Sequence, residues 1–149
     1  MNIMFICTGN ICRSAMAHKM LEKKLKELNR NDVKVYSCGV YAENGDKPTF
    51  EGNSIMKEYG IDLSTHRATN IFNSKIKDMD IILCATTSHK NNVLNTFPEL
   101  KDKIFTMKEY VDFPRNDLDI SDPWACGYEI YKNCAKEIDE VLDKIILKI

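Results

Sequence analysis

Cys7-Thr8-Gly9-Asn10-Ile11-Cys12-Arg13-Ser14 follows the apolar run Ile3-Met4-Phe5-Ile6 and precedes a helix-patterned segment from Ala15 to about Leu28. The octapeptide therefore belongs at a strand-to-helix turn, and such a turn binds anions. The first N–H groups of a helix have no intrahelical partner, and the aligned peptide dipoles leave about half a positive charge there. Successive N–H groups curled at that point make a concavity of phosphate size. Gly9 suits the left-handed or strained backbone this curl needs, and Asn10 is the next most tolerant residue. Arg13 can grip two phosphate oxygens in its planar fork, Cys7 brings a thiol under the phosphorus, and Ser14 can hydrogen-bond that sulfur. A bare Cys-x5-Arg spacing carries little weight alone. The strand before, the helix after, the Gly-Asn pair and the Arg-Ser pair narrow it, because a structural cysteine packed at a strand end requires none of them.

The remaining chain alternates strands with helices. Ala17, Leu21, Leu25 and Leu28 recur at helical spacing, and Val33 to Cys38 alternates as a second strand ending at Gly39. A polar loop from Val40 to Pro48 should run beside the octapeptide, where Tyr41 offers either an aromatic wall or a partly buried packing residue. Phe50 to Tyr59 has helical spacing with Gly60 as its C-cap. Asp80 to Ala85 reads as a strand covered on both faces, Thr86 to Phe97 as a helix closed by Pro98, and Lys103 to Met107 as a fourth strand. Tyr110 to Trp124 is acidic and irregular, with Asp112, Asp117, Asp119 and Asp122. A long helix striped by Ile130, Cys134, Ile138, Val141 and Ile145 closes the chain. Strands joined by helical crossovers imply an α/β fold, with a four-stranded parallel sheet and helices on both faces. Ligands in such sheets bind at the carboxyl ends of strands near a switch in strand order, and Cys7 lies at one such end.

The totals bound the function. One domain spanning residues 1–149 is expected, 44% hydrophobic and 29% charged, as in an ordinary soluble globule. A formal net charge of −1 gives no argument for nucleic acid or an anionic membrane as partner, and neither is expected, so any attraction for anions must be local to the octapeptide. No apolar run approaches the ~20 residues of a membrane span and no leader pattern opens the chain, so a cytoplasmic location is expected. Six cysteines without close pairs point to reduced thiols, and Cys7-x4-Cys12 with the scattered His18, His66 and His89 is poor metal spacing, so no metal and no cofactor are expected.

Cys7 to Ser14, placed this near the N-terminus, resembles the phosphate-binding loop of the low-molecular-weight protein tyrosine phosphatases. Asp122-Pro123-Trp124 resembles that family's Asp-Pro loop, Ser37-Cys38-Gly39 the turn after its second strand, and Asp80-Ile81-Ile82-Leu83-Cys84 its third strand. Ala15 stands where the family usually has Pro. Ser64-Thr65-His66-Arg67 resembles a polar segment of the family, but the Arg usual two positions beyond Arg67 is Thr69, so His66 and Arg67 are read as surface or structural.

The resemblance implies a flavodoxin-like sheet of the phosphotyrosine phosphatase I type and hydrolysis of phosphotyrosine, in proteins and small aryl phosphates, through a phosphocysteine. In that scheme Cys7 attacks phosphorus and inorganic phosphate leaves as product. Thr8, Gly9, Asn10, Ile11, Cys12 and Ser14 belong to the cradle, and Arg13 grips the phosphate. Asp122 protonates the leaving group, with Asp112, Asp117 and Asp119 read mostly as solvated loop charges. Trp124 flanks the substrate ring or pins the loop by packing. A second cysteine at the position of Cys12 can in that family form a reversible disulfide with the nucleophile; otherwise it is a packing residue.

Three alternatives stand beside this reading. Protein-arginine phosphatases share the scaffold but typically carry Thr where Ile11 stands, and a bulkier apolar lip favours a phenol over a guanidinium. Thioredoxin-linked arsenate reductases also share it, but their relay needs a further cysteine that Ala85 to Phe97 lacks. A phosphate-binding module without catalysis would have no need of the thiol or of Asp122.

Overall fold

A computed structural model describes residues 1–149. Four parallel strands, β1 (Asn2–Cys7), β2 (Lys34–Gly39), β3 (Ile81–Cys84) and β4 (Ile104–Thr106), form one sheet in the order β2-β1-β3-β4. Strand β1 is thus hydrogen-bonded on both edges, with Ile6 level with Cys38 on one side and Cys84 on the other. Its side chains alternate between two cores. Ile3 and Phe5 join the larger core beneath α1 (Arg13–Glu27) and α5 (Tyr128–Ile146), whereas Met4 and Ile6 join a smaller one with Val93 of α3 (Thr87–Thr96). This two-sided burial is why β1 reads as an unbroken apolar run and not as an alternating one.

Helix α2 (Phe50–Glu58) packs against α5, and the short α4 (Met107–Tyr110) turns directly off β4 behind a capping box of Thr106 and Glu109. Two three-residue 3₁₀ segments, Ile71–Asn73 and Ile76–Asp78, and a six-residue one, Pro98–Lys103, complete the connections. No helix is long and apolar enough to cross a membrane.

The strand order reverses direction at β1, so the segments leaving β1 and β3 diverge and open a crevice above the sheet. Gly39 closes one flank of it. A Cβ added there would lie 2.4 Å from the Thr8 carbonyl oxygen and 2.9 Å from the Asn10 nitrogen. Both neighbours are backbone atoms and cannot swing aside, so Gly39→Ala should cost roughly 1–3 kcal/mol. Chemical denaturation of the two proteins checks this; an unchanged midpoint would mean that the octapeptide can shift without loss.

Candidate active site

Cys7 is the last residue of β1, and residues 8–12 loop over it before α1 begins at Arg13. The loop is held by its interior. Asn10 is fully buried with φ of 56°, the left-handed conformation tolerated best by Asn after Gly. Its side-chain amide donates to Ser14 Oγ (2.8 Å), its Oδ1 accepts from the Thr69 N–H (2.9 Å), and its carbonyl accepts from His66 Nε2 (2.7 Å). Ser14 Oγ in turn lies 2.9 Å from Cys7 Sγ. The polar loop of residues 40–48 runs alongside, with the Val40 N–H donating to the Cys7 carbonyl and the Tyr41 N–H to that of Thr8. A backbone tied at this many points keeps its curl without a ligand.

Cys7, Thr8, Gly9, Ile11, Cys12, Arg13, Asp122 and Trp124 line one cleft of about 310 Å³. Cys7 forms its floor and is 1% exposed. A hydrogen bond from the Cys12 thiol, others from Ser14 and the charge of Arg13 outweigh burial and lower the Cys7 thiol to about 6, so it is ionised at neutral pH. The same bond, with burial, pushes the Cys12 thiol up, which keeps Cys12 protonated as the donor of the pair.

Arg13 points inward. Its Nη1 donates to the Ile120 carbonyl (2.9 Å), its Nη2 lies 3.6 Å from Asp122 Oδ2, and its buried Nε has no protein partner. A buried guanidinium N–H without an acceptor is costly unless an anion supplies one. Asp122 accepts from the Trp124 N–H at Oδ1 (3.1 Å), a local turn that aims the carboxylate into the cleft. The arrangement thus joins an ionised sulfur, a guanidinium with spare donor capacity and an adjacent carboxyl. That set can transfer a phosphoryl group from an ester to sulfur and then to water. No group of three His, Cys, Asp or Glu side chains is placed to hold a metal ion.

Every residue that the sequence assigns to the site except Asn10 and Ser14 lines the cleft, and those two lie beneath it as the loop's internal struts. One expectation needs correction, and two of the exposed loop aspartates prove to carry contacts as well. Tyr41 is not partly buried but 72% exposed, and it stands outside the residues lining the cleft. Asp117 is not simply solvated: it pairs with the buried Lys108 at 2.7 Å. Asp119 accepts from the Thr87 N–H (2.8 Å) at the start of α3. These two contacts fix the segment that leads into Asp122, and neither side chain lines the cleft.

His66, read as surface or structural, is a buried strut of Asn10, while Arg67 is exposed. Two contributors escaped the sequence reading altogether, the Ile120 carbonyl and His89. Only the pairing of β3 beside β1, which sets the start of α3 against the loop, brings them near, and no local spacing announces that.

The sequence model of the family described as low molecular weight phosphotyrosine protein phosphatase matches residues 2–149. A protein-arginine-phosphatase of Geobacillus stearothermophilus is 35% identical over 147 residues, covering 99% of this chain and 95% of the relative. The low molecular weight protein-tyrosine-phosphatase PtpA of Staphylococcus saprophyticus is 32% identical over 147 residues, covering 97% and 93%. Among solved structures, that of a low molecular weight protein tyrosine phosphatase from T. tengcongensis superposes with a TM-score of 0.93 at 39% identity, covering 100% of this chain and 99% of that one.

Proposed function

The chain belongs to the low molecular weight phosphotyrosine protein phosphatase family, and from that premise we propose that it hydrolyses phosphotyrosine in proteins, with Cys7 as nucleophile, Arg13 as phosphate clamp and Asp122 as general acid. The observation that carries the assignment of roles is the convergence of these three side chains on one cleft, with the sulfur beneath and the carboxyl at the side. Cys7 thiolate attacks phosphorus in line, the P–O bond to the phenol breaks, and Asp122 delivers a proton to the departing oxygen. Loop N–H groups from Thr8 to Arg13 and the guanidinium balance charge on the equatorial oxygens. Water, deprotonated by the same Asp122, then displaces the sulfur and releases inorganic phosphate.

For the leaving group, the half-buried Ile11 and the exposed Trp124 supply apolar and aromatic surface at the mouth, which suits a planar phenol. The second reading, phosphoarginine, is favoured by the 35% identity to a relative named a protein-arginine-phosphatase. Matched peptides bearing one or the other modification separate them. A kcat/KM ratio of at least about tenfold toward phosphotyrosine, equivalent to about 1.4 kcal/mol in the transition state, is expected; a ratio inverted in favour of phosphoarginine would replace this substrate by the other. Thioredoxin-linked reduction has less support, since Cys84 is fully buried within β3 with its thiol pushed up, far from the ionised state that disulfide exchange needs.

A further inference from the structure

Behind the lip of the cleft lies a histidine that the proposed chemistry leaves unused. His89, in the first turn of α3, is buried, and both ring nitrogens meet threonine hydroxyls: Nδ1 lies 2.9 Å from Thr86 Oγ1 and Nε2 lies 2.8 Å from Thr8 Oγ1. Donor and acceptor counts, taken with exposure, favour a proton on Nε2. Thr86 is the N-cap of α3, and its Oγ1 already accepts from the His89 backbone N–H (3.2 Å). If Nδ1 carried the proton, Thr86 Oγ1 would accept twice and its own hydroxyl hydrogen would have no acceptor. With the proton on Nε2, the Thr86 hydroxyl donates to Nδ1 and Nε2–H donates to Thr8 Oγ1, so the one hydroxyl hydrogen left over belongs to the exposed Thr8 and not to the half-buried Thr86.

The consequence falls on Thr8. Its oxygen is occupied by the Nε2–H group, so its own hydroxyl hydrogen is left to donate elsewhere, and the exposed Thr8 lines the cleft. The geometry points to His89 as a positioning residue that sets the Thr8 hydroxyl as one more hydrogen-bond donor to the bound phosphoryl group. Burial and the nearby Arg13 charge lower His89 to about 4, so the neutral ring persists across the neutral range. This rests on the reading of the cleft as a phosphate site, and it adds a side-chain donor to a cradle otherwise made of backbone N–H groups and Arg13.

Imidazole ¹⁵N NMR of the unmodified protein reads the tautomer directly, and Nε2–H is expected for His89. Thr8→Val and His89→Leu should each raise the inhibition constant of inorganic phosphate and the KM of p-nitrophenyl phosphate by roughly tenfold or more, the value of one hydrogen bond to a charged group. The kcat should stay within about twofold, because the bond is made equally in ground and transition states. The double variant should be no worse than either single one, and His89→Gln, whose amide can donate to Thr8, should recover most of the loss. An Nδ1–H tautomer, a Thr8→Val protein that binds phosphate as the unaltered one does, or additive losses in the double variant would each overturn the proposal. Failure of the phosphatase reading itself looks different: the unaltered protein would then neither turn over p-nitrophenyl phosphate nor bind inorganic phosphate, whatever the tautomer.

Discussion

Replacing Cys7 with serine should lower kcat on p-nitrophenyl phosphate by at least roughly a thousandfold, the scale seen when the nucleophile of a covalent mechanism is removed. The reason is ionisation. The Cys12 and Ser14 hydrogen bonds and the Arg13 charge bring the buried Cys7 thiol to about 6, but the same field cannot ionise an aliphatic hydroxyl. The loop's curl does not depend on the sulfur, being set by Asn10, Ser14, Thr69 and His66. Inorganic phosphate should therefore still bind to the serine variant, which separates loss of chemistry from loss of the site.

The thiol's ionisation can be read apart from turnover. Alkylation of Cys7 by neutral iodoacetamide should rise with pH as the thiolate forms, with its midpoint at about 6, the value to which the thiol is lowered. The serine variant serves as the blank for the exposed Cys126. Turnover by Cys7→Ser within tenfold of the original, or alkylation that begins only near the ordinary thiol pKa of about 8.5, would remove the sulfur from the central role.

Asp122→Asn is the second large effect, and its size should depend on the leaving group. A tyrosine phenolate, with a pKa of about 10, leaves poorly without a proton, and a positioned acid contributes on the order of 10²–10⁴. Phenyl phosphate should lose about that much in kcat/KM, whereas p-nitrophenyl phosphate, whose phenolate departs readily, should lose far less. The comparison belongs in kcat/KM, which reports formation of the phosphocysteine. Values of kcat also contain its hydrolysis, where the proposed mechanism uses Asp122 as base and the loss is common to every substrate. Asparagine keeps the oxygen that accepts from the Trp124 N–H, so the loop's local turn survives the change. Equal losses in kcat/KM for both esters would mean that another group supplies the proton.

The central strand, its loop and the alternation of strands and helices were all legible in the residues, because each depends on local period or on a motif with one physical purpose. Helix α1 begins at Arg13, two residues before the apolar pattern starts at Ala15, since loop backbone and not side-chain burial launches it. Strand β4 is shorter than the strand expected from Lys103 to Met107, because Thr106 caps α4 and ends the strand. The 3₁₀ turns at Ile71–Asn73 and Ile76–Asp78 had no signal of their own, three residues being too few to show a period.

The site divides in the same way. Cys7 to Ser14 announces itself through contiguous residue types, and Asp122-Pro123 through resemblance. Lys108, Ile120 and His89 are invisible from the chain alone, because their parts depend on which strand ends lie side by side and not on what surrounds them in sequence.

Arg13 does not belong to the phosphate loop alone. Its Nη1 holds the carbonyl of Ile120, 107 positions away in the chain, and Ile120 is itself hung on Ala85 at the end of β3. One guanidinium is therefore a shared joint between the anion's cradle and the segment that carries the acid. Thermodynamic reciprocity then binds the two: whatever affinity an anion gains from an ordered acid segment, that segment gains as order when the anion arrives. On the proposed mechanism, substrate capture and proton delivery, supplied by segments far apart in the polypeptide, are in this way coupled through a single side chain.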